Sequence, residues 1–85
     1  MFTVYILHSL QLSKYYIGFT SGDVNVRLQK HLANHKGFTA KCKDWQIAYT
    51  ENFDTKAGAM QRERQLKNWK SALRIKELIL RSSTE

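Results

Sequence analysis

Tyr5 and Tyr16 stand eleven residues apart, each inside a run of β-branched and aromatic residues. A phenol can orient a water molecule or, once ionised, take its proton. Because an unperturbed tyrosine titrates near ~10, the second role needs positive charge nearby. Arg27 and His31 are four residues apart, one turn along the same face of a helix. A guanidinium fork makes two parallel bonds to phosphate oxygens, and an imidazole can donate a hydrogen bond or carry a proton near neutral pH. Glu63 is a lone carboxylate among Arg62, Arg64 and Lys67. One carboxylate is enough for Mg²⁺ or Mn²⁺, hard ions that keep several waters and complete their shell with substrate oxygens. A water, a proton acceptor and positive charge for the phosphoryl oxygens are the needs of phosphodiester hydrolysis.

Each of these residues also has a plainer reading. Tyrosine is common in strands, where most phenols simply pack. Arg27 alone would be a solvated helix residue. His31 could be a half-buried histidine beside Leu28 and Leu32. Glu63 could do no more than pair with Lys67 at i+4, worth a few tenths of a kcal/mol. It is the ordered set that points to chemistry. His8 and His35 have no partners suggesting a metal site and read as structural or surface residues.

The elements that must position these groups can be read from periodicity. Phe2–Leu7 and Lys14–Thr20 read as strands, joined through the polar stretch His8–Ser13 as a hairpin. Asp23 is placed to cap a helix carrying Val24, Leu28, His31, Leu32 and His35, with Gly37 where such a helix stops. Phe38–Asp44 is polar and basic and reads as an exposed loop. Trp45, Ile47, Tyr49, Glu51 and Phe53 alternate with smaller or polar residues, the period of a third strand. Asp54 or Thr55 caps a second helix through Ala57, Met60, Arg64 and Lys67, with Leu66, Trp69 and Leu73 as its apolar contacts. Ser71 caps a last helix that turns Ile75, Leu78 and Ile79 inward. The order is β-β-α-β-α-α, an α+β class with a small three-stranded antiparallel sheet flanked by helices.

Eighty-five residues make one domain, 1–85, with a modest core. Fourteen Lys and Arg against seven Asp and Glu give a net charge of +7, which suits a polyanion. Lys36, Lys41, Lys43, Lys67, Lys70, Arg74, Lys76 and Arg81 read as a surface that tracks phosphates without reading sequence. The single cysteine, Cys42, excludes an intrachain disulfide and a cysteine-rich zinc site, which fits a reducing, cytoplasmic compartment. No segment approaches the ~20 apolar residues of a membrane span, and the N-terminus lacks the layout of a signal peptide.

Thr3-Val4-Tyr5 followed by Tyr16-Ile17-Gly18, then Arg27, His31 and Glu63, resembles the paired signature of the GIY-YIG nucleases. Ala59–Trp69 and the basic helix after it are similar to the close of the short members, and the likeness covers essentially the whole chain. It is nearest the small single-domain group related to the nuclease module of the excision-repair subunit UvrC. One departure is that Thr3 stands where the first signature has glycine. The resemblance implies a divalent-metal-dependent endonuclease connected with DNA repair. Its expected catalytic residues are Tyr5, Tyr16, Arg27, His31 and Glu63, with Tyr16 as base and Tyr5 in support. Glu63 is then the ligand of Mg²⁺ or Mn²⁺, and Gly18, Lys41 and Asn68 meet the substrate. Nucleic acid is the expected partner, DNA rather than RNA, and no membrane. With so little surface for readout, either sequence preference is weak or a protein partner supplies targeting. The alternative is a catalytically weak or inactive nucleic-acid-binding module of the same fold.

Overall fold

The computed structural model describes residues 1–33 and 42–83. Within them run β1 (Phe2–Ser9), β2 (Lys14–Thr20), α1 (Val24–Ala33), β3 (Gln46–Phe53), α2 (Lys56–Asn68) and α3 (Ala72–Ser83). The sheet order is β2-β1-β3, and β1 pairs antiparallel with both neighbours. This is the expected α+β architecture.

β1 is central and covered on both faces, which explains why Val4-Tyr5-Ile6-Leu7 is an unbroken apolar run rather than an alternating one. All four are at most 1% exposed. Val4 and Ile6 face α2 and α3, where they pack with Ala59, Leu66 and Ile75. Tyr5 and Leu7 face the other way and pack with Trp45, Tyr16, Leu28 and Leu32, against α1. Each of these aliphatic side chains contributes about 1.5–3 kcal/mol by leaving water. The chain therefore has two small cores, one on each side of the sheet.

Three local details differ from the sequence reading. His8 lies within β1, not in the turn, opposite Tyr15 with the rings 4.7 Å apart. The alternation from Trp45 to Phe53 does not stay on one face. Ile6 pairs with Tyr49 and Leu7 with Ile47, so Ala48 is an extra residue in a β-bulge. Trp45 and Ile47 consequently join the α1 side, and Tyr49 and Phe53 the α2–α3 side. Leu73 is 66% exposed and is no apolar contact.

The caps behave as read. Asp23 accepts from the Asn25 amide at 2.7 Å, Thr55 from Gly58 at 3.1 Å, and Ser71 Oγ from Arg74 at 3.3 Å. The expected extension of α1 to His35, its stop at Gly37 and most of the loop 38–44 lie outside the described residues. A side-chain latch joins the end of β1 and the turn after it to the segment before β3. Asp44 accepts from Ser9 Oγ at 2.5 Å and from the Gln11 amide at 2.9 Å, and the Cys42 thiol lies 2.8 Å from the same carboxylate.

Candidate active site

The strand register decides whether the two tyrosines can act on one point. Tyr5 sits opposite Gly18, and Leu7 opposite Tyr16. Tyr16 is thus the diagonal neighbour of Tyr5 on the same face, within aromatic reach. The Tyr5 ring lies across the strand over Gly18. A Cβ at Gly18 would come 2.7 Å from the Tyr5 hydroxyl oxygen, 2.8 Å from Cζ and 3.3 Å from a Tyr16 ring carbon. Glycine is therefore required to admit the phenol. Gly18 itself is buried, so its place is beneath Tyr5 rather than in open contact with a substrate.

α1 brings the next two groups. His31 is buried at 8% exposure, with Nε2 2.9 Å from the Tyr5 hydroxyl. Its ring stands edge-on to both phenols, 5.9 Å from Tyr5 and 4.9 Å from Tyr16 between centroids. Arg27, one turn earlier and exposed, acts on Tyr5 through its positive charge, which lowers the phenol's pKa. The electrostatics follow from burial. Removal from water pushes the Tyr5 pKa up, more than Arg27 pulls it down, and the charges of Tyr16 and Glu63 push it further up. Tyr5 therefore keeps its proton at neutral pH. Burial, and then the Arg27 charge, lower the His31 pKa, so the imidazole is neutral at pH 7.

Glu63 belongs to the stripe Ala59–Glu63–Leu66, the inward face of α2 at helical spacing. Ala59 and Leu66 are buried, and the Glu63 side chain is 21% exposed. Its charge is felt at Tyr5. The carboxylate also pairs with Lys67 at 3.7 Å, the local partner foreseen from the sequence, whose side chain is 52% exposed.

One expected contact falls elsewhere. Asn68 is exposed and lies about 140° around α2 from Glu63, at ~100° per residue. It lines a separate groove with Arg62, Arg64 and Trp69, away from the tyrosines. Lys41 lies outside the described residues. Thr3, in the position of the missing glycine, donates to Asn52 Oδ1 at 2.9 Å across β1–β3, and the strand pairs regularly there.

A family model described as the GIY-YIG catalytic domain matches residues 1–77. The chain belongs to the GIY-YIG family. Comparisons with curated proteins and with solved structures give no match. A GIY-YIG domain has a nuclease-type fold, and members of the family are generally nucleases, which implies nucleic-acid binding. Among the described residues no three His, Cys, Asp or Glu side chains gather as a metal cluster, and no helix is long and apolar enough to cross a membrane.

The single half-buried carboxylate of Glu63 would fit a magnesium-type ion, whose remaining ligands are water and substrate oxygens. The sequence missed Lys14, which borders Tyr16, and Lys56, which borders Arg27. Strand alternation already puts Lys14 on the face of Tyr16, whereas only the fold brings Lys56 to Arg27.

Proposed function

We propose that this GIY-YIG domain, spanning residues 1–85, is a divalent-metal-dependent endonuclease that hydrolyses nucleic-acid phosphodiester bonds, with DNA as the favoured substrate. The observation that carries the reading is the meeting of Tyr5, Tyr16, Arg27 and His31 at one spot that also feels the charge of Glu63. Four elements from distant parts of the chain supply these groups, and packing alone does not require an arginine and a glutamate there.

Arg27 takes two phosphoryl oxygens in its fork and offsets the charge that grows on them. Tyr16, once ionised, accepts the proton of the attacking water as the new P–O bond forms and the bond to the leaving oxygen breaks. Tyr5 is unsuited to that step because burial holds its proton on, so it serves as a donor that fixes the geometry. His31, neutral and bonded to Tyr5, is better placed to position the two phenols than to meet the phosphate directly. Glu63 would hold Mg²⁺ or Mn²⁺, which when bound supplies Lewis-acid polarisation of the phosphate. A site inside the cell, in a reducing compartment, agrees with the lone thiol of Cys42. Kinship to the UvrC nuclease module and a part in DNA repair rest on the signature residues alone.

The Glu63–Lys67 pair favours a second reading, a nucleic-acid-binding module with little turnover, because it engages the carboxylate proposed to hold the metal. A nicking assay with Mg²⁺ or Mn²⁺ on labelled DNA and RNA separates the two. Wild type should cut, and Glu63→Ala and Tyr16→Phe should not. Equal trace cleavage by all three would establish the binding module instead.

A further inference from the structure

Along the outer edge of the sheet, β2 and α2 run in opposite directions. Lys56 lies near Phe19 and Thr20, and Lys67 near Lys14 and Tyr16. Glu63 lies between Lys56 and Lys67 along α2. Beyond Tyr16 the trough widens into a groove of about 500 Å³, in the range of small-ligand sites. Its floor is Ile17, Leu66 and Ile75, and its rim carries Lys14, Lys67 and Lys70. No Asp or Glu is among the lining residues. β2 is an edge strand, so one side of the groove is open.

We propose that this groove seats an unpaired nucleotide of the substrate strand, next to the phosphate that is cut. The proposal rests on the nuclease reading and names the form of its substrate. The three ammonium groups suit a phosphodiester chain, and they line the same groove as Tyr15 and Tyr16. The apolar floor sets the form. In a duplex the base faces are already stacked, and only phosphates and groove edges are presented, so three aliphatic side chains would gain nothing. An unpaired base or sugar face gains cover from water on such a floor. Lys70 has a second distinctive feature: its φ of 49° lies in the left-handed region, at the position after the α2 cap where glycine is usual. The cation at the rim is held in a conformation that lysine seldom adopts.

The test uses the whole chain in EDTA, so that binding is read without cleavage. Dye-labelled blunt duplex DNA is compared by fluorescence anisotropy with the same duplex carrying a single-stranded overhang. Wild type should bind the overhang about tenfold more tightly, the order of one base contact. Lys70→Gly removes the rim charge and relaxes the backbone, and Ala72→Trp fills the groove from an exposed position at the start of α3. Both should reduce overhang binding about tenfold and blunt-duplex binding much less, with circular dichroism melting confirming the fold. Equal affinity for the two DNAs, or overhang binding unchanged in a folded Ala72→Trp protein, overturns the subsite. If metal-dependent nicking of duplex persists in that case, the nuclease reading stands. If neither DNA binds in a salt-sensitive way, both readings fall.

Discussion

The hydroxyl of Tyr5 lies so close over Gly18 that a single methyl group there would sit 2.7 Å from its oxygen. The second glycine of the family signature is thus a socket for the first tyrosine. Gly18→Ala must push the phenol away, and that ring is 1% exposed and tied to His31, so it has little room to yield. We expect a stability loss of about 1–3 kcal/mol from overpacking, and loss of most nicking activity. Thermal melting and the nicking assay, run side by side, check both. Retention of wild-type activity by a folded Gly18→Ala protein would show that the placement of Tyr5 is irrelevant to the reaction.

Tyr16→Phe removes the proposed proton acceptor and keeps the ring that packs on His31. Loss of a general base slows a reaction by about 10²–10⁴-fold, while the melting temperature should barely move. Tyr5→Phe should do the reverse in part. It removes the bond to His31 Nε2, at a cost of about 0.5–1.5 kcal/mol, and lowers the rate less than Tyr16→Phe does. If Tyr5→Phe proves the more damaging to rate, the two roles must be exchanged.

Much of this was legible in the sequence, for identifiable reasons. β1 declared itself because a strand buried on both faces reads as a continuous apolar run, and the three caps because their hydrogen bonds are local. What escaped was set by distance along the chain. The bulge at Ala48 leaves the alternation of Trp45–Phe53 intact on paper while moving half of it to the other core. The Ser9–Asp44 bond spans 35 positions, and no periodicity encodes it. Leu73 reads as core in a list of apolar residues, but it falls on the side of α3 opposite Ile75. Asn68 follows the same logic: five residues from Glu63 is near in sequence and on the far side of the helix.

His31 gives the site a pH signature. Its folded pKa is below the unfolded value near ~6.5, so the unfolded chain binds the proton more readily. Its effect is absent above that value. As pH falls below about 6.5, toward the lower folded pKa, protonation favours unfolding and stability declines. Melting temperatures measured from pH 8 to pH 5 should drop more steeply for wild type than for His31→Gln, which has no proton to gain. Parallel profiles would contradict the buried, neutral imidazole.

Asp44 predicts an acid loss of the same sign in a lower pH window. Bonds from Cys42, Ser9 and the Gln11 amide hold its carboxyl pKa down to about 2, against an ordinary 3.8. The stabilisation is fully present above 3.8 and is lost as pH falls through about 2. Asp44→Asn should therefore melt below wild type at pH 7, with the gap closing toward pH 2. A gap that is constant with pH would mean the latch acts by shape rather than by charge.

Lys67 tests whether Glu63 is a ligand or merely half of an ion pair. The pair is loose at 3.7 Å, with the lysine half exposed, so Lys67→Met should alter stability by no more than a few tenths of a kcal/mol. If the carboxylate serves a cation, removal of the competing ammonium leaves it more available, and half-maximal nicking should require less Mg²⁺. The substitution also removes a groove cation, so the rate at saturating metal can fall even as the metal requirement eases. Metal titrations at fixed, saturating DNA keep the two effects apart. An unchanged metal midpoint in Lys67→Met, alongside full activity in Glu63→Gln, would place the ion elsewhere and leave Glu63 as a surface partner of Lys67.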